Sequence, residues 1–287
     1  LVGLFQNLFG FLPGGLAIVS VLVCAFFTTF TGASGVTILA LGGLLSFILT
    51  DKNAYEGNYA TGLLTASGSI GLLFPPSLPV ILYGVVAGVS IKDMFIGGVI
   101  PGIIMVAALS LSGVYAAVKR KTPRSPFSLK ATLRSLKLSA WEVLLPVIIL
   151  LSYFMGITTL VETGAVAVLY AFVAEVFINK DLRLKDIPGV FLKSLPIIGG
   201  VLVILAVARG LSYYIIDMEV PMRLTDWVRS VISSRILFLL LLNLVLLITG
   251  CLMDIYSAIM IVAPLIIPVA SIFEIHPVHL GIIFLSN

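Results

Sequence analysis

Two adjacent prolines, Pro75 and Pro76, lie in the middle of an uncharged stretch, 57–91, that is rich in Gly and Ser. Proline lacks a backbone N–H and disfavours helical geometry at the residue before it. We therefore predict that a helix unwinds between Ser67 and Ser77. In a membrane, unpaired backbone groups are tolerated only where they are buried in protein or line a polar cavity, so the break predicts a ligand site. The alternative is a kink that neighbouring helices satisfy.

The composition indicates a membrane protein. Of 287 residues, 60% are hydrophobic and 10% are charged, with a mean hydropathy of +1.21, which excludes an ordinary water-soluble enzyme or binding module. The 17 basic and 13 acidic residues cluster between uncharged stretches, and no nucleic acid is expected as a partner. Cys24 and Cys251 lie in apolar segments, so no disulfide framework or thiolate metal site is predicted. The chain opens with Leu1 rather than Met, and we expect it to be incomplete at both ends.

The uncharged intervals predict the membrane crossings, since one helical crossing takes about 20 apolar residues. The intervals 94–118, 143–161 and 236–253 each suit one crossing. The intervals 1–50 and 57–91 are too long for one simple helix, so each must be broken or re-entrant.

The basic residues predict the orientation. Seven of them fall together without one acid: Lys119, Arg120, Lys121, Arg124, Lys130, Arg134 and Lys137. Because positive charge stays inside, this loop should be cytoplasmic. Helices at about 142–160 and 162–178 would bring the basic loop at 180–193 to the same side. A helix at about 195–216 would then place the loop from Asp217 to Arg235 outside.

Two short segments share a faint likeness, Thr31–Gly35 and Asp254–Ala258, and each precedes an apolar run. The same count of crossings places their entries on opposite sides of the membrane. It also places the acidic loop at 51–56 in the cytoplasm, which the positive-inside rule does not favour. Two similar units that enter oppositely form an inverted repeat, which is typical of secondary transporters with broken helices at the membrane midplane.

These motifs resemble the large membrane subunit of tripartite ATP-independent periplasmic (TRAP) transporters, and the likeness covers nearly the whole chain. The segments that carry it are Thr31–Gly35, Leu64–Pro79, Tyr83–Ile91, Asp254–Pro264, Pro268–Ala270 and His276–Gly281.

The resemblance implies an all-α polytopic membrane protein with two inverted repeats, re-entrant helical hairpins, interrupted helices and an elevator architecture like that of ion transporters. The implied first repeat is 1–118, with a hairpin at about 14–50, an interrupted helix at about 58–90 and a further helix at 94–118. A cytoplasmic basic linker follows at 119–141. The implied second repeat, at 142–287, stops after its hairpin at about 236–272.

The resemblance also implies ion sites, with Na⁺ as the coupling ion and no other cofactor or transition metal. Hard cations choose oxygen ligands, which unwound carbonyls and Ser or Thr hydroxyls supply. Asp254 could instead cap a helix. The candidate ligands are Gly32, Ser34, Ser67, Gly68 and Ser77 for the first ion and Asp254 and Ser257 for the second. The residues expected to shape the break or to lie on the substrate path are Thr31, Thr65, Pro75, Pro76 and Arg209.

Arg209 departs from the family's pattern, which usually has small or apolar residues there. A charged residue within a crossing is a functional candidate. It could equally extend to the outer interface, because Asp217 is only eight residues away.

The implied function is import of an organic acid across a bacterial or archaeal cytoplasmic membrane by a multi-pass protein that is not an enzyme. The implied partners are a small membrane subunit, a periplasmic substrate-binding protein, the organic anion and the lipid bilayer. Half-helix N-termini would attract the anion. ATP is not the expected energy source, because the chain has no phosphate-cradling G-x-x-x-x-G-K-[ST] motif.

Two rival functions remain. Gly32-Ala33-Ser34-Gly35 spells a short G-x-S-G pattern that would suit an intramembrane serine protease, but its serine would need a positioned base. An ion channel would explain the broken helices but not the neighbourhood of the two prolines. His276 and His279 form an H-x-x-H pair without a third metal ligand nearby, so interfacial packing and a helix entry after Pro277 are favoured.

Overall fold

The computed structural model describes residues 2–50, 54–120, 122, 128–232 and 234–287. The helices are α1 Val2–Phe9, α2 Gly15–Thr31, α3 Ser34–Thr50, α4 Gly57–Ile70, α5 Leu78–Ala87, α6 Ile91–Arg120, α7 Leu129–Leu138, α8 Ala140–Phe154, α9 Leu160–Val173, α10 Ile187–Asp217, α11 Val220–Val231, α12 Arg235–Leu252, α13 Ile255–Ile272 and α14 Pro277–Ser286. No β-strand occurs in these described ranges.

The length and apolarity of the helices confirm the predicted all-α polytopic membrane protein. Five helical segments of the described chain are long and apolar enough to cross a membrane, and there are seven if each of two interrupted pairs is one span. The predicted helix at 195–216 begins earlier than expected, at Ile187, because the apolar pattern continues through Lys193 to a proline in the first helical turn.

The uncharged interval at 1–50 is broken, as predicted. Gly32 ends α2 with φ +66°, and its N–H donates to the carbonyl of Thr28 at 2.8 Å. Glycine suits this left-handed position because it has no Cβ to clash there. Only Gly32 and Ala33 separate α2 from α3, and the two helices pack against each other as a hairpin.

The second long interval is also interrupted, but over fewer residues than predicted. The α4 helix continues to Ile70 and a 3₁₀ turn extends to Leu73, so the break begins at Phe74 rather than at Ser67. The glycines before the prolines did not unwind the helix, because a helical glycine costs only about 1 kcal/mol and close packing compensates for it. The peptide bond between the two prolines is cis, and α5 begins after Ser77.

The chain divides into two compact units, of which the first comprises Leu1–Ser77 and Gly102–Leu184. Its apolar core joins α2, α3 and α4, with Val21, Leu45 and Leu49 almost completely buried.

The second unit comprises Leu78–Pro101 and Lys185–Asn287. In it α13 packs against α5, α10, α11 and α14. The hydroxyl of Tyr83 donates to the carbonyl of Pro277 at 3.0 Å, and the rings of Phe238 and Phe273 stack with centroids 4.5 Å apart. The division into repeats with a linker at 119–141 stays a prediction. Within that linker Lys121 and Arg124 lie outside the described residues, as does Asp51 of the acidic loop.

Candidate functional site

A cluster of threonine hydroxyls lies in the first unit, where the hairpin tip meets α4. The Oγ1 atom of Thr28 lies 2.7 Å from Oγ1 of Thr37 and 2.8 Å from the carbonyl oxygen of Gly68. Thr31 Oγ1 is 3.2 Å from Thr37 Oγ1 and 3.4 Å from the carbonyl oxygen of Ala33. Thr28 and Thr37 are fully buried. Three helices and the turn between two of them therefore bring five uncharged oxygens close together. We call the Oγ1 atoms of Thr28, Thr31 and Thr37 and the carbonyl oxygens of Ala33 and Gly68 the hydroxyl cluster.

Glycines allow α4 to approach this closely. A Cβ on Gly68 would lie 2.8 Å from the side chain of Ile38 and 3.5 Å from the carbonyl oxygen of Ser34. A Cβ on Gly71 would lie 2.2 Å from the carbonyl oxygen of Ala25, so the 3₁₀ turn that follows α4 contacts the backbone of α2 directly.

The other predicted ligands on α4 are less suitably placed than Gly68. Ser67 is buried, but its hydroxyl donates to the carbonyl of Leu63 in the same helix at 2.6 Å. Thr65 is exposed, and its hydroxyl donates to Thr61 O at 2.9 Å. These hydroxyls donate to carbonyls of their own helix, which are the usual partners of Ser and Thr in a helix interior.

Ser77, at the end of the break, differs from both. It is fully buried, and its Oγ atom has no hydrogen-bond partner among the residues that the structure describes. Its N–H donates to the carbonyl of Phe74 at 3.0 Å. A buried hydroxyl without a partner costs about 1–3 kcal/mol, so this oxygen is a candidate for a bound ligand. Pro75 and Pro76 are half-buried and shape the break beside it.

The donor set suits a monovalent hard cation. It consists of hydroxyl and carbonyl oxygens, which Na⁺ accepts, and it contains no carboxylate, thiolate or imidazole. In the described parts of the chain, no group of three or more His, Cys, Asp and Glu residues could hold a metal ion.

Asp254 caps α13, the alternative that the sequence left open. Its carboxylate accepts hydrogen bonds from the N–H groups of Tyr256 at 3.0 Å and Ser257 at 3.3 Å, and from the Ser257 hydroxyl at 2.5 Å. Asp254 and Ser257 are thus brought together, and N-capping accounts for both positions. A role of this pair as ion ligands stays a prediction.

The hydrogen bond of His276 supports the predicted roles of the histidines in packing and helix entry. The Nδ1 atom of His276 accepts a hydrogen bond from the N–H of Val278 at 3.2 Å, and α14 begins at Pro277.

Arg209 lines a cavity of about 390 Å³ in the second unit, among apolar side chains of α5, α10 and α13. Its guanidinium carbon lies 5.9 Å from the ring centroid of Tyr213, four residues further along α10. One guanidinium N–H donates to the Tyr213 hydroxyl at 3.5 Å. The cavity and the helix register are compatible with both roles, a substrate contact and a side chain that extends to the interface.

We expect Arg209→Lys to leave the KM for uptake within about twofold of wild type, because an interfacial side chain needs only a positive head that reaches water. Eight helical residues rise about 12 Å, which puts Arg209 within reach of the boundary marked by Asp217. The measurement is substrate-dependent uptake in proteoliposomes. A bidentate grip on a carboxylate needs the planar guanidinium, so a KM about tenfold higher at normal expression would instead make Arg209 a substrate ligand.

Thr28 and Thr37 were not among the ligands predicted from the sequence. A signal existed for Thr28, since Thr28, Thr29 and Thr31 place three hydroxyls in four residues of an otherwise apolar run. Nothing in the sequence singles out Thr37, which joins the cluster only because the Gly32 turn folds α3 back onto α2.

The length, apolarity and interruptions of the described helices define a multi-pass membrane protein. The model of one family, the DctM component of the tripartite ATP-independent periplasmic transporter, matches residues 1–287. The chain belongs to this family, which confirms the resemblance seen in its motifs. It is accordingly a multi-pass protein of the cytoplasmic membrane in a family of transport proteins rather than enzymes.

Three relatives show how the family's members are named. The chain is 33% identical over 279 residues to a C4-dicarboxylate TRAP transporter large permease protein of Pseudomonas aeruginosa, covering 97% of this chain and 65% of the relative. It is 30% identical to a 2,3-diketo-L-gulonate TRAP transporter large permease protein of Escherichia coli (100% and 68%). It is 29% identical to an isethionate TRAP transporter permease protein, DctMQ, of Oleidesulfovibrio alaskensis (100% and 45%). The chain thus spans about two thirds of the P. aeruginosa relative's length.

Proposed function

We propose that this chain is part of a secondary active transporter that imports an organic acid by coupling it to Na⁺. The observation that carries the proposal is the hydroxyl cluster, whose oxygens all come from uncharged groups. Protons are relayed by titratable groups, and the cluster has none. The unpartnered Ser77 hydroxyl is a further candidate ligand oxygen, beside the break. The remaining predicted ligands, Gly32 and Ser34, lie at the hairpin tip.

The substrate is proposed to be a small organic anion. The names of the relatives mention a C4-dicarboxylate, 2,3-diketo-L-gulonate and isethionate, all of which carry a carboxylate or sulfonate. The chain can attract such an anion without a dedicated cation, because helix N-termini present free N–H groups and the positive end of the helix dipole.

The family's tripartite name supports two protein partners, a small membrane subunit and a periplasmic substrate-binding protein. We further propose that the α2–α3 hairpin with the α4–α5 interrupted helix forms one repeat, and that α12–α13 forms the hairpin of an inverted second repeat. Asp254 would then cap the second hairpin in the place where the first has Gly32 and Ala33. Elevator motion of the two hairpins and the interrupted helix is the mechanism that the family resemblance favours.

The decisive experiment is uptake into proteoliposomes under imposed ion gradients. We expect uptake of the substrate to fall about tenfold or more when the inward Na⁺ gradient is removed, since the coupling ion contributes binding free energy to the substrate-loaded state. A panel of dicarboxylates, sugar acids and sulfonates identifies the substrate in the same assay. Equal uptake driven by a proton gradient alone, with Na⁺ absent, would contradict the proposal.

A further inference from the structure

A short basic helix, α7, carries three different faces. It is separated from α8 by Ser139 alone and lies at 66° to it. Three cations in ten residues exclude α7 from hydrocarbon, so it is not the first half of a membrane span. If α8 runs close to the membrane normal, the angle lays α7 along the membrane surface.

One face of α7 docks on the protein. The hydroxyl of Thr132 donates to the carbonyl of Asn7 in α1 at 3.3 Å, and the side-chain amide of Asn7 donates to the Ser135 hydroxyl at 2.7 Å. Thr132 is buried. These contacts fix the rotation of α7 about its axis.

The two outward faces are an apolar stripe and a basic stripe. Leu129, Leu133 and Leu136 are 64%, 57% and 44% exposed, and their spacing places them on one side of the helix. The basic stripe, Lys130, Arg134 and Lys137, is exposed one position further along, and the helix contains no acid. Within the described chain no carboxylate forms a salt bridge with these three side chains.

The flanking residues mark the level of the interface. Trp141, in the first turn of α8, is 40% exposed, and its carbonyl accepts a hydrogen bond from the Tyr170 hydroxyl at 2.9 Å. Tryptophan and tyrosine accumulate where hydrocarbon meets headgroups. The apolar stripe therefore lies beside residues that suit this depth.

We propose that α7 is a binding site for anionic phospholipids at the predicted cytoplasmic surface. The leucines enter the boundary between headgroups and acyl chains, and the basic stripe binds lipid phosphates. Charge complementarity decides the occupant, because a stripe of three cations beside an apolar stripe matches an anionic bilayer surface. The proposal does not rest on transport.

The experiment measures which lipid surrounds Trp141, with Trp227→Phe leaving it as the one tryptophan of the printed sequence and any tryptophan outside that sequence also replaced by phenylalanine. The protein is reconstituted in phosphatidylcholine vesicles in which either phosphatidylglycerol or phosphatidylcholine carries bromines near the head of its acyl chains. We expect brominated phosphatidylglycerol to quench Trp141 about fivefold more effectively per mole, and high salt to weaken the preference.

Two triple variants and a matched control test whether the lipid preference depends on the basic stripe of α7 or on the net charge of the protein. Lys130→Gln, Arg134→Gln and Lys137→Gln together should abolish the preference, while Lys130→Arg, Arg134→Lys and Lys137→Arg should preserve it. A matched control removes the same charge elsewhere, at Lys180, Lys185 and Lys193, all of which are exposed. The proposal is wrong if the wild type shows no preference, if the α7 glutamine variant keeps it, or if the control loses it equally.

A second measurement tests the rotation of the helix, using nitroxides on single cysteines in a Cys24→Ala, Cys251→Ala background. A label at Leu133→Cys should be relaxed more by oxygen, which concentrates in the bilayer, than by a water-soluble nickel chelate. A label at Lys130→Cys should show a smaller ratio. Equal ratios would reject the assignment of the two stripes.

Discussion

Replacing Thr28 with valine should raise the Na⁺ concentration for half-maximal uptake about tenfold or more, the equivalent of losing one good oxygen ligand. Valine has nearly the same shape, but it removes the hydroxyl that lies 2.7 Å from Thr37 Oγ1 and 2.8 Å from Gly68 O. The measurement is the Na⁺ dependence of initial uptake in proteoliposomes, with the folded amount measured in parallel.

Thr61→Val is the matched control, because the Thr61 hydroxyl is exposed and bonds only the Gly57 carbonyl of its own helix, at 2.9 Å. It should leave the Na⁺ dependence unchanged. Thr28→Ser keeps a hydroxyl and should restore most of the affinity. Wild-type Na⁺ affinity in well-folded Thr28→Val would mean that the hydroxyl cluster is structural and that the ion site lies elsewhere.

Gly71→Ala should strongly destabilise the first compact unit. The new Cβ would lie 2.2 Å from Ala25 O, 2.6 Å from Thr28 Cβ and 2.7 Å from Thr29 N. Two of these neighbours are backbone atoms, so α2 and α4 must separate. Overpacking of this kind costs about 3 kcal/mol or more and lowers the Tm by several degrees. The separation would also break the 3.2 Å hydrogen bond from Thr29 Oγ1 to Gly71 O.

Gly62→Ala is the control for this change, since Gly62 lies in α4, the helix that precedes Gly71, and a Cβ there meets nothing within 4 Å. Alanine is favoured over glycine in a helix by about 1 kcal/mol, so Gly62→Ala should be neutral or slightly stabilising. Thermal unfolding of the detergent-solubilised protein measures both variants. Equal Tm values for the two alanine variants would show that Gly71 does not approach the backbone of α2 at Ala25 as closely as the structure indicates.

Several features followed from the sequence alone, because they depend on local chemistry. Uncharged intervals of sufficient length predicted the apolar helices, since charge is excluded from hydrocarbon. Pro75 and Pro76 predicted an interruption, because proline acts on its own backbone. The pattern of these motifs also sufficed to identify the family.

The extent of the break and the ligands around it depended on tertiary contacts. Ser67 and Gly68 stay helical because α4 packs against the hairpin, and a helix interior gives the Ser67 hydroxyl a partner that its residue type does not reveal. Thr28 and Thr37 meet across nine residues only once the Gly32 turn has formed.

The local hydrogen-bond partners of Asp254 were likewise decided by folding. Asp254 could be an ion ligand or a cap by its sequence, and the start of α13 beside it supplied two N–H donors to its carboxylate. The orientation of α7 followed from its two hydrogen bonds with Asn7 of α1, which helical periodicity does not reveal. Residue types and their spacing thus determined which backbone would break and which segments enter the membrane. The partners of the Thr28 hydroxyl depended on which distant segments came within 3 Å of it, and the packing of glycine-bearing helices determined that.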